Sequence, residues 1–142
     1  MPLDPDLVAI LTGSNLGTLA TIRRDGRPQL SNINYCFDVE RELIRISLTD
    51  GRAKVANMRR DGRASLLVNA ASGWHFAVAD ATVELSAVAA SRDDATVEEL
   101  IEVYRLVGGK EHPDWDDYRR AMVEDRRMVA RLHVTHLYGK VA

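Results

Sequence analysis

Cysteine is almost missing from this sequence. The one thiol, Cys36, rules out an internal disulfide and a Cys-based zinc site, and it suits a reducing compartment. A surplus of one charge is missing too, since nineteen Lys and Arg face twenty-one Asp and Glu for a net charge of −2. That balance leaves no electrostatic footprint for nucleic acid. No apolar run approaches the roughly 20 residues that cross a bilayer. The opening residues Met1-Pro2-Leu3-Asp4-Pro5-Asp6 are acidic and lack the basic-then-apolar order of a secretion signal. The expectation is a cytoplasmic protein with no membrane or nucleic-acid partner.

Signatures of catalysis are absent as well. There is no Gly-x-Ser-x-Gly elbow, no Walker loop and no Gly-x-Gly-x-x-Gly. Of the four histidines (His75, His112, His133, His136), His133 and His136 lie three apart on a predicted strand. That spacing sets them on opposite faces, so without a bulge they cannot share an ion. Glu98, Glu99 and Glu102 follow helical spacing and read as a solvated face. No metal is expected and no catalytic residue is assigned. An enzymatic role therefore needs a cofactor to carry the reactive atom.

What is present is one domain, residues 1–142, with enough chain for a single core. Asp4-Pro5 opens a predicted helix at 5–12, closed by Gly13. Strands at 16–22 and 27–37 flank Arg23-Arg24-Asp25-Gly26, a hairpin signal. Within the second, Gln29, Ser31, Ile33 and Tyr35 share one face, and Leu30, Asn32 and Asn34 the other. Amides and hydroxyls on both faces fit either a strand lining a polar cleft or an edge strand protected by polar residues. Further strands follow at 43–48, 63–70, 74–88 and 128–141. Ala77, Ala79 and Ala81 stack on the inner side of the third of these, which implies close approach by another element or subunit. Helices at 95–107, with Val97, Leu100, Ile101, Tyr104 and Leu106 in its stripe, and at 114–124 complete the chain. Six strands without βαβ repetition give an α+β fold on an antiparallel barrel with peripheral helices.

The chain is organised around residues 47–57, a strand end, the turn Asp50-Gly51 and a helix at 53–60. Arg52 and Lys54 stand in or beside the first helical turn, where the helix dipole repels positive charge. A bound phosphate or carboxylate reverses that cost, because backbone N–H groups, an Arg fork and a Lys ammonium converge on it. The alternative is a solvated helix start with Asp50 as its N-cap. Arg59, Arg60 and Arg63 extend the basic cluster.

Four runs carry a family likeness. They are residues 17–22, Asp25-Gly26-Arg27-Pro28-Gln29-Leu30-Ser31-Asn32, Arg52-Ala53-Lys54-Val55-Ala56-Asn57 through Asp61, and Gly73-Trp74. With Asp114-Trp115-Asp116-Asp117-Tyr118 and Asp125-Arg126-Arg127, the sequence resembles the split β-barrel flavin and deazaflavin oxidoreductases related to pyridoxamine 5′-phosphate oxidase. Within them it is most similar to small actinobacterial members that use coenzyme F420. The resemblance implies a six-stranded split barrel, a homodimer with cofactor clefts at the interface, and hydride transfer from reduced F420 to an unsaturated small molecule. It implies that Arg52, Ala53 and Lys54 hold the coenzyme phosphate with Ser47 and Asn57. Gln29, Ser31 and Asn32 would read the ring edge, and Trp74 would come from across the dimer. Phe76 stands where the family often has tyrosine, which removes a hydroxyl there. The alternatives are an FMN-binding flavin reductase or pyridoxamine-phosphate-oxidase-like protein, a non-enzymatic flavin or deazaflavin carrier, and a plain structural barrel.

Overall fold

A computed structural model describes residues 2–141. Helix α1 (Pro5–Thr12) begins as the sequence dictates: Asp4 accepts from the Asp6 amide at 2.8 Å and Pro5 takes the first helical position. Strands β1 (Leu16–Ile22) and β2 (Pro28–Asn34) pair antiparallel across the Asp25-Gly26 turn. The expected single strand at 27–37 is in fact two, because the chain breaks pairing at Tyr35 and resumes as β3 (Cys36–Asp38). Then come β4 (Leu43–Thr49), α2 (Ala53–Arg60), β5 (Arg63–Asn69), β6 (Phe76–Leu85), α3 (Ala95–Gly108), α4 (Trp115–Glu124) and β7 (Arg127–Lys140). The seven strands form one antiparallel sheet in the order β2-β1-β5-β6-β7-β4-β3.

That order explains the barrel. β2 and β3 are consecutive in the chain yet occupy opposite edges of the sheet, with Tyr35 alone between them. Two Cα–Cα steps of 3.8 Å bring the edges within roughly 7 Å at this point, so the sheet must curl on itself. Tyr35 is the pivot. Its ring is fully buried, its amide donates to Asn15 O and its hydroxyl donates to Leu11 O at 2.5 Å. Such burial holds the phenol protonated far above neutral pH. No β2–β4 ladder closes the other end of the slit among the described residues.

Inside the curl, Leu19, Ile44, Ile46, Leu66, Val68, Met128 and Leu132 form the main core with Leu7 and Leu11 of α1. The small stripe Ala77-Ala79-Ala81 is occupied by this chain's own α1, which packs on β6, and not by a second subunit. A second apolar cluster lies on the outer side of β4 and β7, where Val97, Leu100, Ile101 and Val103 of α3 meet Tyr118 and Met122 of α4. Leu106, expected in that stripe, is exposed.

The glutamates read as a solvated face do more than that. Arg45, only 4% exposed on β4, donates to Glu102 at 3.0 Å and lies 3.6 Å from Glu99, which also pairs with Arg131 of β7. This network ties α3 to the sheet, and α3 is one wall of the site described next. On β7 a bulge at Thr135 shifts the register against β6. His133 and His136 therefore share the outer face, contrary to their spacing. Even so, among the described residues no three His, Cys, Asp or Glu side chains gather to hold an ion, and no helix is long and apolar enough to cross a membrane.

Candidate functional site

The slit between β2 and β4, roofed by α3 and α4, opens into a cleft of about 830 Å³. This is within the usual range for a small-molecule or cofactor site. One wall is the inward row and edge of β2, with Gln29, Ser31, Asn32 and Asn34, and the floor is Ser47 and Thr49 of β4. The facing wall is apolar and aromatic, made of Val103, Tyr104, Val107, Tyr118 and Met122. Arg52, Ala53 and Lys54 close one side.

The tip of α2 is built from the turn before it. Gly51 has φ +91°, a left-handed backbone that favours glycine, and it swings the chain from β4 into the helix. Arg52 takes the N-cap position in extended conformation, and no side chain caps the helix. The first backbone bond into the helix is Val55 N to Arg52 O, which leaves the amides of Ala53 and Lys54 for water or a ligand. Asp50 is not the cap. Its carboxylate receives Arg126 at 2.6 Å and Arg59 at 2.8 Å, and those two hydrogen bonds hold its pKa below the usual value. Asp50 thus pins the start of β7 to α2 by pairing with two arginines, neither of which lines the cleft.

Lys54 shows what this costs. Its partial burial, and then the charge of Arg52 beside it, push the ammonium pKa below that of an ordinary lysine. Arg127 and Lys110 add two cations that sequence reading missed. No Asp or Glu lines the cleft, and among the described residues none of its four cations has an ion-pair partner. Ten arginines elsewhere are paired.

The structure brings Arg52, Ala53, Lys54, Ser47, Gln29, Ser31 and Asn32 to this one cleft. It leaves two expected residues outside. Asn57 is 6% exposed and spends its amide on Thr21 Oγ1 at 3.1 Å and Gln29 Oε1 at 2.7 Å. That bond orients Gln29, whose own amide nitrogen is then free to donate. Trp74, 77% exposed, stands at the β5–β6 turn, outside the cleft of its own chain. Arg59, Arg60 and Arg63 are likewise spent, on Asp50, on Ile22 O and Asn57, and on Asp61. Arg127 was hidden by its neighbour, because Asp125-Arg126-Arg127 reads as one basic turn although only the first arginine, Arg126, has an ion-pair partner. Lys110 follows Gly108-Gly109 and reads as loop.

Two buried atoms support a ligand here. Ser31 Oγ and Arg127 Nε are buried without a hydrogen-bond partner, and both residues line the cleft. An unpaired buried polar atom is costly, and a ligand with acceptors and anionic groups relieves it. The donor set fits a coenzyme with a planar polar ring and an acidic tail. Of the two cleft tyrosines, Tyr118 is no ready proton donor. Tyr118 gives its hydroxyl proton to Leu100 O at 3.0 Å, and burial pushes its pKa up to about 12.

Solved structures share this architecture. An F420 reductase is 18% identical over 96% of this chain and 98% of its own, with a TM-score of 0.71. A heme storage protein from Vibrio cholerae is 17% identical over 99% and 96%, with a TM-score of 0.67. An FAD-binding protein from Mesorhizobium loti is 16% identical over 96% and 94%, with a TM-score of 0.65. At such identities the likeness speaks for the fold alone. The sequence itself goes further, because residues 3–140, nearly the whole length, match the description of pyridoxamine 5′-phosphate oxidase, and the chain belongs to that family.

Proposed function

We propose that this chain is a cytoplasmic F420-dependent oxidoreductase that passes hydride from the reduced deazaflavin to an unsaturated small molecule. The observation that carries the reading is a cleft with four unpaired cations set against a strand of amides and hydroxyls. Arg52, Lys54 and the free amides at the tip of α2 would take the coenzyme phosphate, with Ser47 beside them. Gln29, Ser31 and Asn32 would hydrogen-bond the ring edge, and Tyr104, Val103 and Met122 would exclude water from its face. The coenzyme supplies the hydride when bound, and the chain binds, orients and desolvates. Protonation of the product is left to solvent.

A homodimer completes the proposal. Beyond the part of β4 and β7 that α3 and α4 cover, the outer face of the sheet carries no helix, and its register aligns Asn32, Thr18, Leu67, Val78 and Tyr138 across five strands. Leu16, Leu30 and Tyr138 are exposed large side chains on that face. A second copy seated there would carry its Trp74 toward the first copy's cleft. Sedimentation velocity at micromolar concentration should give a dimer.

The second reading keeps the cleft and replaces F420 with FMN. Titration with each coenzyme, followed by quenching of Trp115 (in edge contact with the cleft residue Tyr104), separates them. Tighter binding of F420, and oxidation of its reduced form on adding enones, quinones or tetrapyrroles, supports the first reading. Tighter binding of FMN establishes the second. If neither coenzyme binds, both fail.

A further inference from the structure

The roof of the cleft is held unevenly along its length. Up to Val103, α3 is pinned to the sheet by the buried Val97, Leu100, Ile101 and Val103, and by the bonds from Arg45 to Glu102 and from Arg131 to Glu99. Past Val103 no residue of the helix is fully buried. Yet this last turn supplies Tyr104, Val107 and Gly108 to the lining of the cleft. Space lies on its other side as well. A second hollow of about 750 Å³, bounded by Leu11, Asn15, Tyr35, Leu106 and Val107, runs between the ends of α1 and α3. A helical turn with unfilled space on two sides has little packing to keep it in place.

One hydrogen bond makes up the difference. Asn15 Nδ2 donates to Val107 O at 2.9 Å, joining residues 92 apart in the chain. Among the described residues, no other hydrogen bond or ion pair joins residues 104–113 to a strand or to α1. A carbonyl can only accept, so Asn15 must turn its nitrogen toward Val107. The backbone oxygen of the same residue receives Tyr35 N and Asn34 Nδ2, each at 3.0 Å. Asn34 lines the cleft from β2, and Tyr35 is the pivot of the curled sheet. Asn15 thus couples the loose end of the roof to the strand that forms the opposite wall. It is exposed, so water competes for both partners and the bond can open without stranding a buried group.

We infer that Asn15 is a positioning residue for the cleft: its amide holds the last turn of α3 over the site, and release of that bond is the step by which a ligand enters and leaves. Asn15 itself does not line the cleft. The proposal rests on the cleft being the coenzyme site.

The test compares the full wild-type chain with Asn15→Asp, which keeps size and backbone acceptor but sets an oxygen against Val107 O, and with Asn15→Ala. Hydrogen exchange without ligand comes first. Amides of residues 107–109 should exchange several-fold faster in both variants, while those of 97–103 keep their wild-type rates. Stopped-flow binding of F420 and of FMN comes second. Association and dissociation should both quicken about three- to tenfold, as the loss of one ordinary hydrogen bond allows, and Kd should move by less than either rate. A residue that merely braces the fold would lower Tm and leave association no faster. Unchanged exchange at 107–109, or faster dissociation with unchanged association, would overturn the gate while leaving the coenzyme reading intact. If neither coenzyme binds the wild-type chain, that reading and the gate fall together.

Discussion

Replacing Lys54 with methionine should stabilise the ligand-free protein while weakening its hold on an anionic ligand. The helix it starts has eight residues, a basic N-cap, no acidic residue in its first turn and no capping side chain. A cation in that position costs ~0.3–1 kcal/mol against the helix dipole, and Arg52 alongside adds to it. Methionine keeps the alkyl stem and has nearly the same helix propensity as lysine, so the charge is the only large change. Relief of ~0.3–1 kcal/mol corresponds to a rise of roughly 1–4 °C in Tm for a chain of this size. The pH dependence has a definite sign. Because the folded ammonium has a lowered pKa, the wild-type penalty is full at neutral pH and fades as pH climbs toward the ordinary lysine value of 10.5. The advantage of Lys54→Met should fade with it, and should shrink in 1 M salt. With saturating coenzyme the order inverts, since a charge-assisted hydrogen bond worth ~1.5–3 kcal/mol is lost. Thermal unfolding with and without ligand measures both arms. A variant less stable than wild type without ligand, or equally stabilised by ligand, would refute the electrostatic account of the α2 tip.

Asn57→Ala should lower stability by ~1–3 kcal/mol in urea unfolding, since it strips Thr21 and Gln29 of a buried donor, and coenzyme affinity should fall with it. Asp50→Asn should cost stability only where the carboxylate is charged. The folded pKa of Asp50 is lowered, so the Tm gap to wild type is full above about pH 4 and closes as acid titrates the group in the folded protein. Cys36 is buried with its pKa raised, chiefly by desolvation, so at pH 8 it should react with a disulfide reagent far more slowly in the native than in the urea-unfolded chain.

Much of the fold was legible in local signals. Asp4-Pro5 caps α1 where the sequence places it, α3 and α4 begin within a residue of their expected starts with Asp94 and Asp114 as caps, and the Asp25-Gly26 hairpin forms. Tyr35 was not legible, because a strand that changes sheet edge keeps its alternating pattern and only tertiary pairing shows the break. The bulge at Thr135 is likewise a matter of register, invisible without a partner strand. At the site, Arg52 and Lys54 announced themselves by standing at the wrong pole of a helix. Asn57 was legible only as an amide beside a basic helix; its burial against Thr21, where it braces Gln29, comes from tertiary packing. Lys110 and Arg127 come into the cleft through long-range packing of α3, α4 and β7, which no local pattern encodes.

The strand that reads the ligand in this proposal, β2, hydrogen-bonds to a neighbour on one side only. Its other flank offers backbone amides and carbonyls to whatever lies alongside, as any sheet margin does. An empty protein would therefore leave a ready template for another molecule's backbone, and a filled one would shield it. Amide exchange along residues 28–34 should slow on loading, and stocks kept without coenzyme should be the ones that cloud on storage.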